Sequence, residues 1–266
     1  GSDAVIRIRG MNSIQGSNEA LIVVDGLQHG NLSSINPQNI QSIEILKGPS
    51  ATAIYGSEGA NGVIMVTTKQ GVRGQKAEIN ISSDISFSQL ERKWPKIGAA
   101  DYARLVNLQE LANNLHRDPL PIFSQEEINE FERTGGTDWQ DVILRRGLTH
   151  NHNLAISGGT NEVTYRVSGA YLDQEGIVLN SGYKRYSLRA KLNADFTDWL
   201  SAGVNWNGNI ETSESPLYGS QVDHPQNPIK TALTFPPTLP VYDEQGNYSE
   251  IPPNYGPTTD FNPRAN

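Results

Sequence analysis

From Lys76 onward the chain alternates between apolar and polar positions. Ala77, Ile79, Ile81, Ile85 and Phe87 share one face, against Glu78, Asn80, Ser82, Asp84, Ser86 and Ser88 on the other, the period of two that places successive side chains on opposite sides of a strand. Val163, Tyr165, Val167 and Tyr171 oppose Glu162, Thr164, Arg166 and Ser168. Tyr186, Leu188, Ala190, Leu192 and Phe196 oppose Arg185, Ser187, Arg189, Lys191, Asn193 and Asp195, and Leu200, Ala202, Val204, Trp206 and Ile210 oppose Ser201, Asn205, Asn207, Asn209 and Glu211. With His150 to Ser157 added, the pattern predicts a run of five strands. Their connections differ in length: Gly158-Gly159-Thr160-Asn161 and Thr197-Asp198 are tight turns, Asp173 to Gly182 is intermediate, and 91–148 and 213–266 are long excursions. By strand parity the longer connections all fall at one end, the asymmetry of an outer-membrane barrel with short periplasmic turns.

A soluble β-sandwich alternates too, so alternation alone leaves both architectures open. Aromatic placement favours the barrel: Phe196 and Trp199 flank one short turn, while Phe87, Tyr171, Tyr183 and Tyr186 lie near the opposite strand ends.

The first seventy residues have another texture. Ile6 and Ile8 alternate with Arg7 and Arg9 as a half-exposed strand, and Leu21 to Val24 is a continuous apolar strand ended by Asp25-Gly26. Ile35-Asn36-Pro37 to Ile40 forms a turn into a short helix. Ile43 to Leu46 is a strand that stops at Lys47-Gly48-Pro49, Ser50 to Tyr55 makes a helical turn capped by Ser50, and Gly56 ends it. Gly59 and Gly62 permit a second reversal into the β-branched strand Val63 to Thr68. The unit predicted is β-turn-helix-turn-β. Its glycine spacing is neither GxGxxG nor GxxxxGK[ST], and turn chemistry explains it better than a phosphate cradle.

Composition narrows the function classes. A net charge of -8 argues against a nucleic-acid partner, which needs clustered Lys and Arg. Zero cysteines remove disulfides and thiolate metal sites. No apolar run is long enough for a transmembrane helix, which leaves barrel strands untouched because they bury only alternate residues in lipid. No signal peptide begins the chain, so a mature or shortened form is expected.

The long excursions carry elements of their own. Ala99 to Leu115 places Tyr102, Leu105, Leu108, Leu111, Ala112 and Leu115 at helical spacing, and Ser124-Gln125-Glu126-Glu127 has the form of a capping box for a helix ending at Gly135-Gly136. Both are expected to be helices packed within an extracellular loop. The segment from Ser213 holds ten of the fifteen prolines, with Tyr218, Tyr242, Tyr248 and Tyr255 as either aromatic contacts for a glycan or lid protein or ordinary loop packing.

Catalytic motifs are absent, with no GxSxG, no HExxH and no cysteine nucleophile, so no catalytic residue is assigned. His150 and His152 share a strand face, expected to be the lipid side near the outer rim, but have no third ligand at a supporting spacing; no metal or cofactor is expected. The Asn-x-Ser matches at Asn31, Asn80 and Asn247 are short patterns of the kind that arise by chance.

A resemblance sharpens this. Glu44-Ile45-Leu46-Lys47-Gly48-Pro49-Ser50-Ala51, Ala53-Ile54-Tyr55-Gly56, Ala60-Asn61-Gly62-Val63-Ile64 and Thr67-Thr68-Lys69 resemble the plug-domain motifs of TonB-dependent outer-membrane transporters, and the AIYG, ANGV and TTK forms resemble the SusC-like branch. Ile6-Arg7-Ile8-Arg9-Gly10 and Leu21-Ile22-Val23-Val24-Asp25-Gly26 stand where that branch has its IRIRG and YVVDG strands. Gly48 stands where the branch usually has aspartate. The resemblance implies a mainly β fold: a mixed α/β plug domain over 1–71, missing its start, then from 76 to 266 the first strands of an antiparallel transmembrane β-barrel. Five strands cannot close a barrel.

The function implied is TonB-dependent import of oligosaccharides or peptides across the bacterial outer membrane. The expected partners are a SusD-like lipoprotein lid, TonB acting through a segment outside these residues, and outer-membrane lipid. Plug-motif residues with a structural or gating role would be Arg7, Arg9, Gly10, Asp25, Gly26, Glu44, Lys47, Gly48, Tyr55, Gly56, Asn61, Gly62 and Lys69. Arg166, Arg189, Lys191 and Asn205, on the polar strand face, are candidates to line the substrate path. The alternative is a soluble all-β glycan-binding or adhesion module, and a secreted glycosidase comes third.

Overall fold

The computed structural model describes residues 19–29, 32, 35–114, 120–215, 227–252 and 262–264. Arg7, Arg9, Gly10, Asn31, Leu115, Tyr218 and Tyr255 lie outside the described residues. Contacts divide the chain into two compact units, one of 1–85, 150–173 and 183–212 and the other of 86–149, 174–182 and 213–266.

The first unit begins with a small mixed sheet. Its strands are β1 (Leu21–Val24), β2 (Leu27–His29), β3 (Ile40–Leu46) and β4 (Val63–Thr68), in the order β2-β1-β4-β3. β4 runs parallel to β1 and antiparallel to β3. Between β3 and β4 the chain forms helix α1 (Pro49–Tyr55) and a 3-10 segment, Gly56–Asn61, so the predicted β-turn-helix-turn-β unit is present. The helix starts at Pro49, where a proline loses no helical hydrogen bond. Ser50 therefore lies inside the helix, a correction to its expected role as cap.

Both faces of this sheet carry apolar side chains. Ala20, Val24, Ile35, Ile64 and Val66 cluster on one side, and Val23, Ala51 and Val63 on the other with Leu21, Leu46, Tyr55 and Met65 packed against them. A continuous β-branched run is what a strand covered on both faces requires.

The same unit then holds most of a sheet of five strands in sequence order, β5 (Glu78–Ser88), β6 (Gly147–Gly159), β7 (Val163–Glu175), β8 (Gly182–Thr197) and β9 (Leu200–Glu214), a wall whose strand ends at 86–88, 147–149, 174–175, 182 and 213–214 fall in the second unit. All five predicted strands form. At the β6–β7 turn the Thr160 hydroxyl accepts from the backbone N–H groups of Glu162 and Val163, at 3.2 and 3.0 Å, closing a loop slightly later than expected.

This wall is inverted relative to a soluble sheet. Its apolar face is open, with Ile81 77% and Phe87 74% exposed, whereas Ser168, Arg185 and Arg189 on the polar face are 3%, 8% and 8% exposed. The polar face is covered by the small sheet and its loops: Asn36 donates to Asn153 at 3.3 Å, Gln38 donates to Asp84 at 3.3 Å, and Ser82 donates to Gln38. A sandwich buries its apolar faces against each other, so the arrangement is that of a barrel wall around a plug. Gly71 marks the crossing from one to the other. A Cβ there would collide with the backbone of Gly158 and Tyr165, so only glycine permits the approach.

The second unit contains α2 (Ala99–Asn113), α3 (Gln125–Thr134), α4 (Trp139–Ile143) and α5 (Pro228–Thr234). The capping box at Ser124 is formed, with Glu127 returning to the Ser124 N–H at 2.8 Å. α2 has the expected extent but not the expected buried face. It packs on α3 through Ala100 and Ala103, against Phe123 and Ile128, while Leu105, Leu108 and Leu111 are 53%, 60% and 50% exposed. Small side chains allow close helix approach, and the Asn107 amide completes the contact by pairing with both backbone groups of Phe123, at 2.8 and 2.9 Å. A separate core joins the two long excursions. Trp139 and Phe235 meet edge-to-face at 4.8 Å, and the Trp139 indole donates to the Pro236 carbonyl at 2.9 Å.

Candidate functional site

The β1–β2 connection is a two-residue turn, Asp25-Gly26, with φ of 48° and 86°. Positive φ at both positions matches the right-handed twist of the flanking strands, and Asp-Gly is among the few pairs that adopt it readily. The tightness of the turn sets the position of the Asp25 side chain. The Asp25 N–H donates to Val66 at 2.9 Å, so the turn is pinned to the end of β4.

Five groups converge on the Asp25 carboxylate. From the plug, the Thr68 N–H donates to Oδ1 at 2.9 Å and the Thr68 hydroxyl to Oδ2 at 2.5 Å. From the wall, Arg189 Nη2 donates to Oδ2 at 2.6 Å, Asn205 Nδ2 to Oδ2 at 3.0 Å, and Lys191 Nζ lies 3.3 Å from Oδ1. Arg189 also donates to Asn205 Oδ1 at 3.0 Å, which fixes the guanidinium between the two. The side chains of Asp25, Arg189 and Lys191 are only 6%, 10% and 14% exposed.

Burial pushes the Asp25 carboxyl up, but the two Thr68 hydrogen bonds and the nearby Lys191 ammonium outweigh it and hold the group below its usual value. The carboxylate is therefore charged throughout the neutral range. One carboxylate faces two cations, so the locus keeps a surplus of positive charge. Its geometry is that of an attachment point, with both carboxylate oxygens taken up by donors from the two sheets.

Three of the four polar-face candidates thus meet at one carboxylate: Arg189, Lys191 and Asn205. Arg166 stands apart. Its Nη1 donates to Ser157 at 3.5 Å, its Nε is buried without a partner, and it lines a polar cavity of about 630 Å³ with Lys69, Gln75, Thr164 and Asn193. Beside this cavity Arg73 pairs with Asp195. Among the plug-motif residues, Tyr55 packs into the core beneath α1, and Gly48, Gly56 and Gly62 take positive φ. Glu44 lies exposed on β3, with Lys47 and Asn61 at the ends of the β3–β4 connection and Lys69 just after β4. The Lys69 N–H donates to the Asn39 carbonyl at 2.8 Å.

His150 and His152 stack at 6.0 Å on the outward face, and His152 shares a 2.8 Å hydrogen bond with Ser83. Among the described residues no group of three or more His, Asp or Glu side chains is arranged to hold a metal ion.

A plug seated against the polar face of a lipid-type wall is a specific arrangement, and the comparisons with known proteins agree with it. The family model for the TonB-dependent receptor plug domain matches residues 1–63. The TonB-dependent receptor SusC of Bacteroides thetaiotaomicron is 35% identical over 261 residues, 93% of this chain and 24% of that protein. This chain is similar to SusC-like TonB-dependent receptors over nearly all of its own length. TonB-dependent receptor P26 of Formosa agariphila is 36% identical over 254 residues, 94% of this chain and 24% of the relative. The chain thus spans about a quarter of the length of the curated relatives it matches. Among solved structures, the RagAB peptide transporter superposes with a TM-score of 0.76 at 23% identity, over 92% of this chain and 30% of that one. At that identity the likeness speaks for the fold. TonB-dependent receptors are outer-membrane β-barrel proteins, which accounts for a SusC-like wall whose apolar side faces outward.

Proposed function

We propose that this chain supplies the plug and the first wall strands of an outer-membrane importer, in which the plug closes the lumen and yields when TonB pulls on a segment ahead of it. The observation that carries the reading is the Asp25 cluster, where a buried plug carboxylate is held by inward-facing side chains of β8 and β9. Such an attachment orients the plug against the wall while leaving it separable, because the joint is polar and water can take over each hydrogen bond once it opens. The cargo class is oligosaccharide or peptide, as the SusC-like plug motifs imply, and one protein of the same fold, RagAB, is a peptide transporter. A SusD-like surface lipoprotein is the partner that fits this class.

The test is fractionation of the full-length protein. The expected result is recovery with outer membranes, release only by detergent, and heat-modifiable migration, together with uptake that is lost when TonB is deleted. Recovery as a soluble monomer would overturn the reading.

A further inference from the structure

The outward face of the wall is not uniformly bulky. At mid-height, between Leu154 and Leu188 on the neighbouring strands, β7 presents Gly169, and β9 presents Gly208. Neither glycine has a positive φ, so backbone conformation does not call for it. Glycine inside a strand weakens the strand and is found where another backbone or a ligand comes close. At Gly169 no backbone does: the nearest atom to a Cβ would be the Ser187 carbonyl oxygen at 4.0 Å. At Gly208 the space is taken on one side by the Trp206 ring, which leans to 2.8 Å from where a Cβ would stand.

The result is an apolar trough of about 760 Å³ crossing the sheet, with Leu154, Leu188 and Trp206 among its walls, within the ~300–1,000 Å³ typical of small-molecule sites. One border of the trough is polar. His152, Tyr171 and Tyr186 form a ladder of rings with centroids 6.3 and 4.9 Å apart. Beyond them, toward the end with the longer connections, the Tyr171 hydroxyl donates to Asp173 at 2.8 Å and Lys184 lies 3.4 Å from the same carboxylate.

We infer that this trough is a binding site for one outer-leaflet membrane lipid, an acyl chain lying over Gly169 against Leu154, Leu188 and the Trp206 ring, and the polar head at the Tyr171–Asp173–Lys184 border. The occupant follows from the surroundings. The face is the one a TonB-dependent receptor turns to the bilayer, the trough is apolar along its length, and its polar border lies on the side where a headgroup of the outer leaflet would sit. An aromatic row at that level suits the boundary between chain and headgroup. The inference rests on the outer-membrane reading above.

The experiment is native mass spectrometry of the full-length transporter released from outer membranes in mild detergent, scoring the lipid retained per protein. Gly169→Leu fills the trough without meeting its own sheet. Val204→Leu, on the same face outside the trough, is the control. The wild type and V204L are expected to retain a lipid. G169L should lower the retained fraction about tenfold, the change that losing about two buried methylenes makes. Leu188→Ala removes a wall instead of filling the space and should also lower retention, so it decides the matter if G169L does not fold. Equal retention in wild type and folded variants, no retention in wild type, or a retained mass that is detergent alone would overturn the inference. Heat-modifiable migration of the same samples keeps the barrel reading separate, since a folded barrel without the lipid fails only the trough.

Discussion

The plug sheet and the wall sheet bury opposite things. In the plug, β1 and β4 place Val23, Val63 and Val66 at 1%, 0% and 1% exposure, and the stability of the sheet comes from apolar area removed from water. In the wall, the covered face holds Asn153, Ser168, Arg185 and Arg189, while its leucines and isoleucines stay open. The contrast shows that burial has two uses in one unit. The plug is held to itself by non-directional packing and to the wall by directional polar contacts, so the second joint can open without the first one melting.

The largest effect should come from placing a charge in the plug core. Val66→Asp buries a carboxylate with no partner and is expected to abolish plug folding, costing more than about 4 kcal/mol. Limited proteolysis of the membrane-inserted protein would show selective digestion of residues 19–68 with the wall intact, and a resistant plug would show that packing is not what holds it. Next comes the joint. Asp25→Ala leaves Arg189 and Lys191 buried and unpaired, which costs about 3–5 kcal/mol. The plug should stay folded but become exchangeable, read as faster hydrogen exchange at Thr68 and raised leak conductance. Unchanged leak would mean that other contacts seat the plug.

Acid should act on the same joint. Because the folded pKa of Asp25 is depressed, its contribution is present above the usual value of 3.8 and is lost as pH falls through the lower folded value. Leak measured from pH 7 down to 5 should therefore be flat. A rise in that range would place a different titrating group at the joint.

The wall answers to the opposite rule. Leu154→Arg, mid-strand on the open face, should cost about 2–4 kcal/mol of membrane stability, as charge does near a bilayer midplane. In a soluble sheet an exposed leucine tolerates the same change, so a neutral outcome in a folding titration from lipid would contradict the lipid-facing assignment. The smallest effect belongs to the second unit, where Ser124→Ala removes the α3 cap for about 1 kcal/mol, detectable as fraying of residues 125–128 by hydrogen exchange with import unchanged.

Much of this was legible because strands announce themselves by period. The alternation from Ile79 to Ile210 identified all five wall strands and put Arg189, Lys191 and Asn205 on one face. It could not say what they meet, since Asp25 lies 164 residues from Arg189 and no local pattern encodes a contact at that separation. The Asp25-Gly26 pair marked the end of a strand, and with Leu27 following it was also the signal for a hairpin, so β2 was within reach. The α2 stripe misled for a different reason. Helical spacing says which residues share a face, but alanines at the contact with α3 decided which face was buried. Asn227-Pro228 offered a helix start for α5, with the Asn227 side chain accepting from Ile229 at 3.0 Å. The joining of Trp139 to Phe235 had no such marker.

The parallel pairing of β1 with β4 has a mechanical consequence. Leu21 pairs with Val63 and Val24 with Val66, so the chain enters β1 at one end of the ladder and leaves β4 at the other. A tension applied ahead of Leu21 and resisted beyond Thr68 loads all the rungs of that ladder together, in shear. The rungs of an antiparallel pair pulled from adjacent ends would fail one at a time. The plug is therefore stiffest along the line of the chain that runs through it, and a pull along that line reaches the Asp25 turn and its wall contacts before the central strands separate.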